Sequence, residues 1–201
     1  GLGGVAGVGD FAVFEVEDYG ATKLIAHCFN PITEENFDLR YTGDYDPLSS
    51  PNPFAGVAAV GDFAVYAPQN SPQIMAVNPI TKSVQQVTHG QPQLNANGNI
   101  APYAFSGPVV IGDWAVMAGR TGNVVCYNPS TNELYTHTEE LPIKEATPGE
   151  NAGAFLSRFG PPTKVGNFAV FPPTFGNTIL AFNPLSRTQK SLNFDFEDFY
   201  T

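Results

Sequence analysis

The sequence predicts an all-β chain made of four like sheets, on three observations. A segment of about fifty residues recurs four times in register. The composition is rich in turn formers, with 20 Gly and 18 Pro, and only 14% of residues are charged, fewer Lys and Arg than surface helices carry. Short apolar runs alternate with Gly, Pro and Asn punctuation throughout, which is the pattern of strands and tight turns. With 201 residues, the chain is long enough to bury roughly 70% of the surface its unfolded form exposes, so one domain with an ordinary core is expected.

The repeats superimpose without gaps over their central stretch. They read GGVAGVGDFAVFEV from Gly3, AGVAAVGDFAVYAP from Ala55, SGPVVIGDWAVMAG from Ser106 and GPPTKVGNFAVFPP from Gly160, anchored on Gly9, Gly61, Gly112 and Gly166. Leu2, Phe54, Phe105 and Phe159 precede the four anchors at one fixed distance. Each copy ends in a second signature, FNPIT at Phe29, VNPIT at Val77, YNPST at Tyr127 and FNPLS at Phe182.

Each part of the repeat has a physical role. The Gly-Asp or Gly-Asn pair between two apolar runs supplies the positive φ angles of a two-residue hairpin turn, joining a first strand to a second. Phe11 and Val13 alternating with Ala12 and Phe14 suit a strand packed on both faces. A third strand, Lys23 to Phe29 and its counterparts, ends at Asn-Pro, where Pro presets φ and the Asn side chain bonds to the backbone two residues on. A more polar fourth strand follows, as in Ser83 to Thr88. Four antiparallel strands per repeat, apolar inside and polar at the outer edge, define a four-bladed β-propeller-like fold. The blades are about 1–46, 54–89, 105–138 and 159–193 of a single domain 1–193, followed by an acidic aromatic tail, 194–201. Closure of the ring within one chain is the expectation, although four blades can also supply half of a larger ring.

SGPVVIGDWAVMAGRTGNVVCYNPSTNELYTHT, Ser106 to Thr138, resembles a blade of the PQQ-type or kelch-type propellers. The resemblance implies architecture only. The Trp-docking pattern of PQQ enzymes is missing, since Trp114 is the only Trp, and so is the double glycine of kelch blades. No cofactor is therefore expected.

Charge and chemistry narrow the function classes. The formal charge of −10 repels phosphate backbones and anionic headgroups, so neither nucleic acid binding nor membrane insertion is expected. The chain opens on Gly1 rather than Met and is expected to be a processed or trimmed product. Cys28 and Cys126 occupy one repeat position in blades one and three, too far apart for a disulfide, where Ala76 and Ala181 stand in the other blades; they read as free core fillers. Free thiols and the lack of any Asn-x-Ser/Thr acceptor point to an intracellular reducing compartment. His27, His89 and His137 show no ligand spacing, and the recurring Asp10, Asp62, Asp113 and Asn167 are explained by their turn, so no metal site is expected. No catalytic residue is assigned, and the protein is expected not to be an enzyme.

Two surfaces remain as candidate sites. The tail FDFEDFYT carries Phe194, Phe196, Phe199 and Tyr200, rings whose burial is worth roughly 1.5–3 kcal/mol each. It is expected to dock on its own propeller or on a neighbouring copy, by adding a strand or filling a groove, with disorder as the third alternative. The long blade-to-blade connections gather on one face, where Tyr45, Tyr103, Phe155 and Phe175 form a candidate sugar-stacking surface for a lectin-like alternative. In its repeat, acidic balance, aromatic terminus and absence of catalytic motifs, the chain is also similar to the shell proteins around the pyrenoid of diatom chloroplasts. That likeness implies a stromal, non-enzymatic structural protein, a homo-oligomer or lattice enclosing a second protein, packed Rubisco.

Overall fold

A computed structural model describes residues 2–16, 25–41, 54–69, 71–90, 105–119, 123–138, 159–173 and 178–193. The described residues form sixteen strands and no helix. Blade one holds β1 (Leu2–Val8), β2 (Phe11–Val16), β3 (Ile25–Phe29) and β4 (Asn36–Arg40). Blade two holds β5 (Phe54–Val60), β6 (Phe63–Pro68), β7 (Gln73–Asn78) and β8 (Ser83–Thr88). Blade three holds β9 (Val109–Ile111), β10 (Trp114–Ala118), β11 (Val124–Asn128) and β12 (Glu133–His137). Blade four holds β13 (Thr163–Val165), β14 (Phe168–Phe171), β15 (Thr178–Asn183) and β16 (Thr188–Asn193). Each blade is an antiparallel meander with strands in chain order, the four-bladed β-propeller-like repeat that the sequence predicts.

Both turn signatures act locally, with one refinement. Val8 pairs with Phe11, Val60 with Phe63, Ile111 with Trp114 and Val165 with Phe168, leaving two residues in each hairpin turn. Only the glycine takes positive φ, 55° to 59° at Gly9, Gly61, Gly112 and Gly166; the following Asp or Asn does not, as in hairpins that place glycine first. At the other end, Asn78 Oδ1 accepts the amides of Ile80 and Thr81, both at 2.9 Å, and Asn30, Asn128 and Asn183 repeat the arrangement. The turn then closes through a left-handed residue that is not glycine: Glu34, Lys82, Asn132 or Arg187, with φ of 55° to 59°.

The core lies between the blades. Val8, Val13, Ala26 and Cys28 of blade one pack on Phe54, Ala64, Tyr66 and Met75 of blade two. The same repeat positions form a second seam between blades two and three, and a third between blades three and four. The innermost strands follow one another, β5 beside β1, β9 beside β5 and β13 beside β9. Among the described residues no cluster joins blade four to blade one, and β13 and β1 make no such neighbouring pair. Among the described residues the blades form a stack with three seams, and the fourth seam that a ring closed within one chain requires is not among them.

Candidate interaction faces

Two places gather polar or apolar side chains without an obvious structural endpoint: a buried polar network at the loop end of blades one to three, and the outer faces of the terminal blades. In the network Tyr41, just past β4, places its hydroxyl 2.6 Å from Ser71 Oγ and 3.1 Å from Gln73 Oε1. Ser71 Oγ donates to the Gln73 carbonyl at 3.1 Å and accepts the Gln73 amide at 3.0 Å, which pins the β6–β7 connection. His89, just past β8, donates from Nε2 to the Ser71 carbonyl at 3.1 Å. Tyr41 and His89 occupy the same repeat position, and each stands edge-on to the aromatic that opens the next blade, Phe54 at 5.5 Å and Phe105 at 4.8 Å. Burial pushes the His89 pKa down, only partly offset by its bond to Ser71, so the imidazole is held neutral. It grips main chain here and holds a loop in place, a packing role for a residue read from the sequence as satisfied or solvent-exposed.

The buried thiols and the Tyr66 phenol follow the same logic. Cys28 and Cys126 are free and buried; burial, helped by Asp38, pushes the Cys28 thiol up to about 11, and burial pushes Cys126 up to about 12 against the opposing Tyr135 hydrogen bond and Arg187 charge. Neither is a thiolate at neutral pH, so neither is a nucleophile there. Burial, with Glu15 and Cys28 near, also pushes the Tyr66 phenol up. Asp10, Asp62 and Asp113 sit exposed in their turns. Among the described residues no group of three or more His, Cys, Asp or Glu side chains is placed to hold a metal ion. None of the described helices could cross a membrane, there being none.

The terminal faces break the symmetry of the repeat. Val8, Val60 and Ile111 are each 1% exposed, whereas their counterpart in blade four, Val165, is 59% exposed. Leu192, the counterpart of the packed Leu39 and Val87, is 63% exposed. Val170, Ile179 and Ala181 on the same face are half-buried, where Val65, Ile74 and Ala76 are fully covered by blade three. The opposite face of blade one shows the complement. Val5 is exposed, and Ala12, Phe14, His27 and Phe29 are half-buried, where Ala64, Tyr66, Met75 and Val77 of blade two are sealed. His27 Nδ1 lies 2.8 Å from Asp38 Oδ1 on that face.

Phe194, Phe196, Phe199 and Tyr200, assigned to self-association, and Tyr45, Tyr103, Phe155 and Phe175, assigned to a ligand face, all lie outside the described residues. Sequence reasoning missed the two terminal faces. The signal was present in the equivalence of Val8, Val60, Ile111 and Val165, but equivalence states which position faces a seam and not whether that seam exists.

No protein-family model and no curated protein sequence matches the chain. Solved structures do. The chain is similar to BamB from Moraxella catarrhalis at 14% identity and a TM-score of 0.60, covering 96% of this chain and 54% of that one. It is similar to the β-propeller domain of Cps50 (Swd1) from Myceliophteria thermophila at 11% identity and a TM-score of 0.55, covering 94% and 57%. Apo AztD from Citrobacter koseri gives 13% identity and a TM-score of 0.54, covering 97% and 47%. At these identities the likeness shows the fold: this is a β-propeller module. The chain spans about half the length of the solved structures it matches.

Proposed function

We propose that the chain is a non-enzymatic structural module that assembles with copies of itself through its terminal blade faces and its aromatic tail. One observation carries the reading: side chains sealed at three quasi-equivalent seams stand in water at the two ends of the stack. Monomeric proteins rarely leave contiguous apolar surface of this kind uncovered, and it marks interaction sites where it occurs. The tail supports the same reading, because in the register of the repeat Phe194 is the counterpart of Tyr41 and His89, the position that caps the next blade. The likeness to pyrenoid shell proteins supplies a setting, a lattice in the reducing chloroplast stroma around a second protein, with which two free buried thiols are compatible.

Sedimentation velocity across a concentration series, on the full chain and on a chain ending at residue 193, tests this function. Assembly that grows with concentration and weakens on truncation is the expected result. A single copy at every concentration, in both forms, contradicts it.

A further inference from the structure

The three seams within the chain define how any blade of this protein receives the next, and they allow the missing seam to be written residue by residue. At each seam a hairpin glycine lies against a turn-tip residue of the following blade. A Cβ built on Gly9 would meet Ile80 at 3.6 Å, on Gly61 Ser130 at 3.9 Å, and on Gly112 Leu185 at 3.6 Å. On Gly166 it would meet nothing within 4 Å. Among the described residues, the turn-tip residue with no glycine against it is Ile32 of blade one, at 74% the most exposed of their large apolar side chains. Val165 and Leu192 on one terminal face, and Val5 and Ile32 on the other, are thus the two halves of one seam.

Charge agrees with that match. Between blades one and two, Lys82 pairs with Glu35 at 2.7 Å and stands 4.6 Å above the Phe37 ring. Between blades three and four, Arg187 pairs with Glu133 at 3.3 Å and stands 4.4 Å above the Tyr135 ring. The middle seam places Asn132 and Gln85 at the same two positions, both within hydrogen-bond reach of the Tyr127 hydroxyl. In the missing seam the counterpart of Lys82 and Arg187 is Glu34, and the counterpart of Phe37 and Tyr135 is Lys190. The carboxylate position of the inner seams, Glu35 and Glu133, is Thr188 here, so the opposite signs meet at the ring position instead, Glu34 against Lys190.

We infer that two copies of this chain meet head to tail, the blade-four face of each on the blade-one face of the other, and close a single ring of eight blades. This rests on the self-assembly reading above and adds its geometry and stoichiometry. A heterologous contact of this kind gives a closed ring if the rotation completes a circle and an open polymer if it does not. Two observations favour closure by two copies. Among the described residues no apolar cluster joins blade four to blade one. BamB and the Swd1 propeller domain match nearly all of this chain with 54% and 57% of their own length, which leaves room in each for a stack of about as many residues again.

Native mass spectrometry and sedimentation equilibrium test the inference on the full chain, Val165→Asp, Lys190→Glu, and the double variant Glu34→Lys with Lys190→Glu, with far-UV circular dichroism confirming that each is folded. All three positions are exposed in the single chain, and Lys190 also stands 5.2 Å above the Phe168 ring of its own blade, so the circular dichroism check matters most for its variants. The expected result is a monomer–dimer equilibrium: the dimer fraction rises with concentration and no species larger than the dimer follows. Val165→Asp abolishes it, Lys190→Glu raises its dissociation constant about tenfold by turning two attractive pairs per ring into repulsive ones, and the double variant restores it. Trimers or indefinite polymers overturn the two-copy ring while leaving self-assembly standing. So does a dimer indifferent to Val165→Asp and Lys190→Glu, which places the contact elsewhere. A wild-type chain that stays monomeric throughout overturns both the ring and the proposed function.

Discussion

At the scale of single residues the protein relies on a few side chains that satisfy backbone groups where strands end. Asn30, Asn78, Asn128 and Asn183 do so openly, and their part in the turn is legible from the Asn-Pro signature because it depends only on near neighbours in the chain. His89 does so from burial, and its role was not legible, since Ser71 and Phe105 reach it through the fold rather than along the sequence. A histidine held neutral carries a pH signature. Its folded pKa lies below the ordinary 6.5, so its contribution to stability is complete above that value and is lost as the pH falls, the unfolded chain taking up the proton more readily than the folded one. The melting temperature of the wild-type chain therefore drops between about pH 7 and about pH 5.5, and His89→Gln shrinks the drop. Thermal melts followed by circular dichroism at the two pH values measure this, and equal drops in the two proteins contradict it.

At the scale of the blade, strand order and register follow from alternating apolar residues and fixed turn chemistry, and both were readable in advance. The hairpin glycine was assigned correctly and its partner was not: the Gly-Asp pair needs one left-handed residue rather than two, because a glycine in first place already matches the twist of the strands. What local sequence does not encode is which face of a blade is covered. Val60 and Val165 share a repeat position and differ by a whole neighbouring sheet. In dilute solution, where the chain is a single copy, Val60→Ala costs about 1.5–3 kcal/mol through lost burial and the cavity left behind. Val165→Ala changes stability by no more than about 0.5 kcal/mol, as at an ordinary surface position. Urea unfolding of the two variants decides the matter, and equal losses would mean that blade four has a covered forward face after all.

At the scale of the whole molecule, the repeat announced four blades, and counting them invited a ring closed within one chain. The seams show why the count misleads. Each blade carries a forward and a backward apolar face, and among the described residues the four blades bury three interfaces and leave a half-interface at each end. In the proposed seam Ile32 faces Gly166 and Glu34 faces Lys190, as Ile80 faces Gly9 and Lys82 stands over Phe37 in the first one. The central claim is therefore about continuation of the stack from one copy into another. Class averages of the purified wild-type chain by electron microscopy test it most directly: the account predicts closed rings of eight spokes around a central channel, and closed rings of four spokes would contradict it.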